Sequence, residues 1–401
     1  MAARHGFSEQ VVMVRYGEIF LKSEPVKYHF IGLLLRNITK ALAASGLTCR
    51  FETPRGRILI RGTDPAAIAE IVSRVFGVVD VSLCTLTGTD TASLSAAALA
   101  LASSHMTEPV RFAIRAKRQK KTGMTSQELG ACIGSAICDQ FPLFRVDLSD
   151  PEYEIFVEVR DIGGLIYDER RAAPGGLPWG SQGKVLALLS SGIDSPVASW
   201  LAMKRGCEVS YLHMDGGRWA GSDVRAAAIE NFRRLSLWCP GNRTRMDIAD
   251  SEPLYDRMQE IRTPPRFRCV ICKRFMVRAA STFCAWEKAR ALVTGENLGQ
   301  VASQTLSNLT VISDAATVPV LRPLITYDKT EIVTLARKIG TFVARPGDLA
   351  CHVVSPTPAT AANPDTVSRY EDQLGIPDLL ERALSSVTDV TAENGTVEEN
   401  S

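Results

Sequence analysis

Residues 184–206 read KVLALLSSGIDSPVASWLAMKRG. An apolar run ending in Leu188 and Leu189 meets the small-residue loop Ser190-Ser191-Gly192-Ile193-Asp194-Ser195, which passes straight into a helical pattern. Small residues let the backbone approach a ligand closely, and the N–H groups of the loop and first helical turn lack partners within the helix. That geometry binds phosphate or pyrophosphate. The spacing is not G-x-x-x-x-G-K-[ST], so a Walker-type loop is excluded. Downstream, apolar periodicity predicts helix 196–205, strand 209–213, helix 223–237, strand 244–248, helices 252–261 and 272–288, and strand 291–294. This alternation is the signature of a doubly wound parallel sheet, whose ligands sit at the carboxyl ends of its strands.

The loop reads S-[GS]-G-x-D-S, the pyrophosphate loop of enzymes that split ATP into AMP and pyrophosphate to adenylate an oxygen. Upstream of it, residues 172–183 (AAPGGLPWGSQG) form a Gly- and Pro-rich linker. The N-terminal part predicts strand 11–16, helix 25–44, strands 48–52 and 57–61, helix 66–76 and strand 78–86, the order of a ferredoxin-like sandwich. A second α+β unit follows: helix 91–104, strand 110–116, helix 126–141 capped at Thr125 or Ser126, and strands 153–161 and 164–170. We divide the chain into 1–63, 64–171, the linker 172–183, and 184–384, which carries late helices at 329–339 and 368–374. The polar, acidic tail 385–401 is expected to be disordered.

With 401 residues, of which 45% are hydrophobic, the chain can bury several cores. Its net charge of +2 points to no partner. The start, MAARHGFSEQ, lacks the apolar core of a signal peptide, and no apolar window is membrane-spanning in length, so a cytoplasmic protein without a membrane partner is expected. Ten cysteines in such a chain do not imply a disulfide framework.

Local charge is more telling. Residues 111–121 carry six bases (Arg111, Arg115, Lys117, Arg118, Lys120, Lys121) and no acid, a density that asks for an anionic partner. With few aromatics interleaved, phosphate contacts on folded RNA are favoured over base stacking. Arg268-Cys269-Val270-Ile271-Cys272-Lys273-Arg274 places a C-x-x-C among bases at a predicted helix start, where thiol pKa values fall. Zinc, a redox dithiol, an iron–sulfur cluster and plain packing all fit this pair. Cys351 follows Pro346-Gly347-Asp348-Leu349-Ala350 in a loop, which is poor territory for a core cysteine. A zinc site would need a fourth ligand such as His352 or His213. A cluster held by three cysteines leaves one iron open, which suits sulfur transfer.

With these residues assembled, the chain resembles the tRNA 4-thiouridine synthetase (tRNA sulfurtransferase, ThiI-type) family over nearly its whole length. The matching blocks are Val14-Arg15-Tyr16-Gly17-Glu18-Ile19-Phe20-Leu21-Lys22, Arg115-Ala116-Lys117-Arg118, Gly192-Ile193-Asp194-Ser195-Pro196-Val197-Ala198, and LVTGENLGQVASQT at 292–305. Leu321-Arg322-Pro323-Leu324 and Asp328-Lys329 support them. The resemblance implies an N-terminal ferredoxin-like domain, a tRNA-binding THUMP domain and a C-terminal adenine-nucleotide α-hydrolase-like domain. It implies adenylation of the C4 oxygen of uridine 8 in tRNA, then displacement of AMP by sulfur.

On this resemblance Leu188, Leu189, Ser190, Ser191, Gly192, Ser195, His213, Met214, Lys273, Gly295 and Gln304 bind ATP. Asp194 contacts Mg²⁺ or the nucleotide, and Arg115, Lys117, Arg118, Lys120 and Lys121 bind tRNA. Cys351 is the sulfur-handling residue, and Cys269, Cys272 and Cys351 match the branch that holds a [4Fe–4S] cluster. Two departures stand out. Ser191 occupies a position where the family usually has glycine, which matters only if positive φ is needed. Longer members add a C-terminal rhodanese domain, whereas no cysteine follows Cys351 here. The expected sulfur source is therefore external, as sulfide or as a cysteine desulfurase persulfide, and the family suggests a homodimer. Competing readings are another pyrophosphate-loop ligase, amidotransferase or tRNA-modifying enzyme, a sulfur carrier in thiamine thiazole synthesis, and an RNA-binding protein with a decayed nucleotide domain.

Overall fold

The computed structural model describes residues 8–105, 109–119, 123–342, 349 and 351–400. The chain divides into two compact units, one of residues 1–27 and 41–175, the other of residues 28–40 and 176–401. Among the described residues no helix is long and apolar enough to cross a membrane.

The chain begins with β1 (Glu9–Tyr16) and α1 (Glu24–Ala43), whose residues 28–40 belong to the second unit, and the first unit goes on with β2 (Cys49–Glu52), β3 (Ile58–Gly62), α2 (Pro65–Val72) and β4 (Val78–Thr87). It continues with α3 (Thr91–Ala102), β5 (Val110–Arg118), α4 (Ser126–Gln140), β6 (Phe144–Val146), β7 (Tyr153–Arg160), β8 (Gly163–Tyr167) and β9 (Arg171–Ala172). Among the described residues these strands form one nine-stranded sheet in the order β2-β3-β1-β4-β8-β7-β5-β6, with β9 paired to β4. The boundary expected at 63/64 is corrected by this pairing. β4 runs antiparallel along β1 and, with its other edge, pairs with β8, so α2 and β4 complete the ferredoxin-like half. At ten residues β4 is long enough to serve both halves of the sheet. The expected α4 cap is a full capping box: the Thr125 hydroxyl accepts from the Glu128 N–H at 3.2 Å, and Glu128 accepts from the Thr125 N–H at 2.7 Å. Behind the sheet, Leu94, Ala98, Leu129, Ile133 and Ile137 from α3 and α4 close over Phe112, Ile155 and Val157.

The second unit contains β10 (Lys184–Leu188), α5 (Asp194–Lys204), β11 (Glu208–Asp215), α6 (Val224–Ser236), β12 (Thr244–Asp250), α7 (Glu252–Glu260) and α8 (Pro265–Trp286). Then come β13 (Leu292–Val293), α9 (Leu306–Ser313), β14 (Val320–Leu321), α10 (Lys329–Ile339), α11 (Pro364–Leu374), α12 (Ile376–Ser385), β15 (Thr388–Glu393) and β16 (Thr396–Asn400). The sheet order is β14-β13-β10-β11-β12-β15-β16, parallel from β14 through β12. The chain leaves central β10 for β11 on one side and later returns to β13 on the other. The carboxyl ends of β10 and β13 thus flank a topological switch point, where ligands of such sheets bind.

The tail is not disordered. β15 pairs antiparallel with β12, and β16 with β15, through a turn at Asn394 (φ 50°) and Gly395 (φ 82°). Two successive positive φ values make the turn that joins tightly twisted hairpin strands, which Asn-Gly supplies. Alternation then buries Val390 and Ala392 against the sheet edge. An acidic average composition concealed both signals.

Candidate functional site

The loop after β10 is held by the side chains around it. Ser195 Oγ, at the start of α5, accepts from the Ser190 N–H at 2.9 Å and lies 2.9 Å from Ser190 Oγ, which accepts from the Gly192 N–H at 3.3 Å. Asn231 of α6, wholly buried, donates to the carbonyls of Ser190 (2.8 Å) and Gly192 (3.1 Å). With two carbonyls turned back into the protein, the loop directs N–H groups the other way. The cap residue of α5, Ile193, makes no side-chain hydrogen bond, so the helix start also keeps its donors for a ligand. Ser191 is not among the residues with positive φ, so serine fits there without backbone strain.

Two adjoining cavities open at this switch point. The first, of about 230 Å³, is mainly apolar: Leu188, Leu189, Ser190, Ser191, His213, Met214, Trp219, Tyr255, Met276 and Cys351 are among its walls. The second, of about 220 Å³, is lined by Gly192, Asp194, Ser195, Lys273, Thr294, Gly295, Glu296 and Gln304. They share Leu188, Ser190 and Met276. Every nucleotide residue expected from the sequence, together with Cys351, therefore lies on one continuous crevice with an apolar end and a polar end.

Gly295 is held to glycine by the backbone opposite it. A Cβ there would stand 2.6 Å from the Ser195 nitrogen and 2.8 Å from the Asp194 carbonyl carbon, so the β13 loop and the pyrophosphate-type loop touch main chain to main chain. Asp194 is paired with Lys329 Nζ at 2.7 Å and accepts from Gln300 at 3.2 Å. Lys273 lies 3.1 Å from Glu296 Oε1, whose other oxygen accepts from Arg322 at 2.6 Å. Burial pushes the Glu296 carboxyl up, but Lys273 and Arg322 outweigh it and hold the group below its usual range. Glu296 thus anchors Lys273 at the cavity wall. His213 Nδ1 is 2.9 Å from the Leu189 carbonyl, which only accepts, so that nitrogen carries the proton. Burial lowers the His213 pKa and keeps the ring neutral. Its Nε2 and the Gln304 Oε1 are buried without a protein partner among the described residues.

The three cysteines need one correction. α8 starts at Pro265, so Cys269 and Cys272 lie within the helix and not at its N-terminus. The expected lowering of their pKa does not occur: burial raises Cys269 and pushes Cys272 up to about 12, with the Cys351 thiol adding to both. Cys351 forms a single antiparallel bridge with Ala220, and the next N–H, of His352, donates to the Trp219 carbonyl at 2.9 Å. Cys272 Sγ lies 3.0 Å from the Tyr255 hydroxyl. Among the described residues no group of three or more His, Cys, Asp or Glu side chains is arranged to hold a metal ion. The donor chemistry is all sulfur: the Cys351 thiol lies close enough to Cys269 and Cys272 to raise the pKa of both.

The basic strand is also corrected in part. Strand β5 contains no acid, but its neighbours supply several: Arg111 pairs with Asp150 at 2.9 Å and Arg115 with Glu154 at 2.6 Å. Lys117 and Arg118 line a concave pocket of about 400 Å³ with Phe20, Arg55, Arg57 and Arg160. Buried Glu158 grips Arg57 (3.2 Å) and Arg160 (2.7 Å). Lys120 and Lys121 lie outside the described residues. Sequence reading missed Arg55, Arg57 and Arg160, and likewise Asn231, Glu296 and Tyr255. Each is a single residue in a segment without a local motif, apart from Glu296, which lies inside the LVTGENLGQVASQT block.

Comparisons with known proteins bear on the whole chain. Residues 11–82 match the ThiI ferredoxin-like domain, 88–167 the THUMP domain, and 180–376 the thiamine biosynthesis protein (ThiI) model. A probable tRNA sulfurtransferase of Methanosarcina acetivorans is 36% identical over 395 residues, covering 96% of this chain and 95% of that protein. The chain belongs to the ThiI-type tRNA sulfurtransferase family. A relative of the same description from Anoxybacillus flavithermus is 33% identical over 386 residues, covering 95% of this chain and 96% of the relative. A crystal structure of a 4-thiouridine synthetase–RNA complex with bound ATP superimposes with a TM-score of 0.85 at 32% identity. It covers 96% of this chain and 100% of that one. The three-part ferredoxin-like, THUMP and pyrophosphate-loop architecture is that of the family.

Proposed function

We propose that this chain is an ATP-dependent tRNA sulfurtransferase that converts uridine 8 of tRNA to 4-thiouridine. The observation that carries the proposal is the single crevice with an apolar end, an end lined by Asp194, Ser195, Lys273 and Glu296, and Cys351 on its wall. The apolar end takes the adenine beside Met214 and His213. The loop from Ser190 to Ser195, with the start of α5, takes the phosphates. The uridine O4 attacks the α-phosphate, its bond to pyrophosphate breaks, and Lys273 offsets charge developing on the departing group. A sulfur nucleophile then adds at C4, and AMP leaves with the original oxygen.

Asp194 fits a Mg²⁺ ion as well as its present partners, since Lys329 and Gln300 use only part of a carboxylate's acceptor capacity. The donor set of Cys269, Cys272 and Cys351 is all sulfur, the chemistry by which a [4Fe–4S] cluster would be held with one iron open for sulfur transfer, but among the described residues these thiols are not arranged to hold a metal ion. Sulfur arrives from outside, as sulfide or as the persulfide of a cysteine desulfurase. The pocket of Lys117, Arg118, Arg55, Arg57 and Arg160 supports tRNA phosphate binding.

The test supplies anaerobically purified protein with tRNA transcript, ATP and sulfide, and follows 4-thiouridine by nucleoside chromatography together with AMP release. One AMP should appear per 4-thiouridine. Cys351→Ala should abolish the product while tRNA and ATP still bind. Product formation by that variant would remove Cys351 from sulfur transfer.

A further inference from the structure

The chain leaves β11 at Asp215, whose carboxylate accepts from the Gly217 N–H at 3.1 Å, and makes a short helical turn over Gly217–Trp219. Gly217 permits that turn: its φ is 50°, and the Glu252 carboxylate stands where a Cβ would be. The turn places the half-buried Trp219 side chain on the wall of the apolar cavity. Two groups hold the indole. Its N–H, which can only donate, donates to Asp256 Oδ1 at 2.7 Å. The Arg218 guanidinium lies 5.7 Å from the ring centroid and is itself paired with Asp256 and, at 3.1 Å, with Glu252. The Trp219 main chain is tied to the cysteine segment: its carbonyl accepts from the His352 N–H at 2.9 Å, and Ala220 bridges to Cys351.

A fixed aromatic face on an apolar cavity suits a nucleobase, because every base has a flat face that stacks whatever its sequence identity. An enzyme that reacts with a base must also hold that base out of its own stack. On the reading above, two bases share this crevice. Adenine lies beside His213 and Met214, at the end of β11. The uracil must bring C4 to Cys351, and Trp219 is the aromatic residue whose backbone pairs with that segment. We infer that Trp219 is the platform on which the target uracil stacks with C4 turned toward Cys351, and that Asp256 is a positioning residue that holds the indole. The inference rests on the sulfurtransferase reading and names the face that binds its substrate base.

The experiment follows 4-thiouridine and AMP formation by full-length wild type, Trp219→Leu, Trp219→Phe and Asp256→Ala, varying tRNA transcript and ATP separately and recording melting. Phosphate contacts dominate RNA affinity, so loss of the platform should appear in turnover. Trp219→Leu should lower kcat about tenfold, with the KM for tRNA and for ATP each within about twofold of wild type. Trp219→Phe is also smaller than tryptophan but keeps an aromatic face, and should recover to within about threefold of wild type. Asp256→Ala frees the ring without removing it and should cost about threefold. Full turnover by Trp219→Leu, or by Asp256→Ala if the leucine variant does not fold, overturns the platform. Equal losses in Trp219→Leu and Trp219→Phe reduce the ring to packing and overturn it too. A raised KM for ATP at unchanged kcat would give the ring to adenine and overturn the uracil assignment. A wild type that forms no 4-thiouridine removes the sulfurtransferase reading and this inference together, whereas thiolation by wild type and leucine variant alike refutes the inference alone.

Discussion

Replacing Gly295 by alanine tests the main-chain contact on which the crevice is built. The added Cβ would stand 2.6 Å from the Ser195 nitrogen and 2.8 Å from the Asp194 carbonyl carbon and the Ser195 Cα. None of these atoms belongs to a side chain that could swing aside. To reach ordinary contact at 3.4 Å, one of the two loops must retreat by about 0.8 Å. Overpacking of this kind costs about 1–3 kcal/mol, and each kcal/mol lowers the melting midpoint of a unit this size by about 2–4 °C. The functional cost is larger, because the displaced atoms begin the helix proposed to cradle the phosphates. A misplacement near 1 Å is worth about 10²-fold in turnover. The assay is 4-thiouridine formation against ATP concentration, with calorimetry on the same preparations. Gly192→Ala is the contrast for folding: its Cβ meets only Ser190 Oγ, at 3.5 Å, so melting should stay within error. Turnover of Gly295→Ala within twofold of wild type, at unchanged melting, would refute the account of how the two loops are held together.

Other outcomes follow from the same geometry. Asn231→Ala removes both donors to the loop carbonyls at 2.8 and 3.1 Å. At about 1–3 kcal/mol for groups left unpaired, it should raise the KM for ATP more than tenfold while tRNA affinity stays constant in filter binding. The double variant Lys117→Ala/Arg118→Ala should weaken tRNA binding and reduce the slope of log K against log salt by about 2. An unchanged slope would move the RNA site elsewhere. Glu158 titrates near 2 against an ordinary 4.5: burial raises it, but Arg57 and Arg160 more than compensate. A depressed carboxylate contributes stability that is full above its unfolded value and lost as pH falls through its folded one. The first unit should therefore lose stability steeply from pH 4.5 to pH 2, and Glu158→Gln should flatten that limb in acid denaturation followed by circular dichroism.

Much of the molecule was legible because its signals are local. The strand–loop–helix at 184–206, the cap at Thr125 and Glu128, and the alternation that builds the parallel sheet each lie within one short window. The expected nucleotide residues came together because sheet order brings strand ends to one switch point. The misreadings have equally definite causes. An acidic composition masked a hairpin whose turn needed only Asn394 and Gly395. Helix α8 was started late because Pro265 at its first turn was not read as an N-terminal residue, and this carried the two thiols to a helix end they do not occupy. Arg111 and Arg115 looked uncompensated because their acidic partners sit on and beside another strand.

Sequence alone thus determined the loop chemistry, the fold class and the three cysteines, since each depends on residue type and spacing along the chain. Only tertiary structure decided which groups serve those residues. Asn231 reaches its partners from 39 and 41 positions away, and Glu296, Lys329 and Tyr255 reach theirs from 23, 135 and 17. Burial, which keeps His213 neutral and Cys272 protonated, is a property of packing that no local pattern encodes. Ser191, the irregular residue of the opening loop, is acceptable for a reason visible only in the backbone: its φ never enters the region that requires glycine.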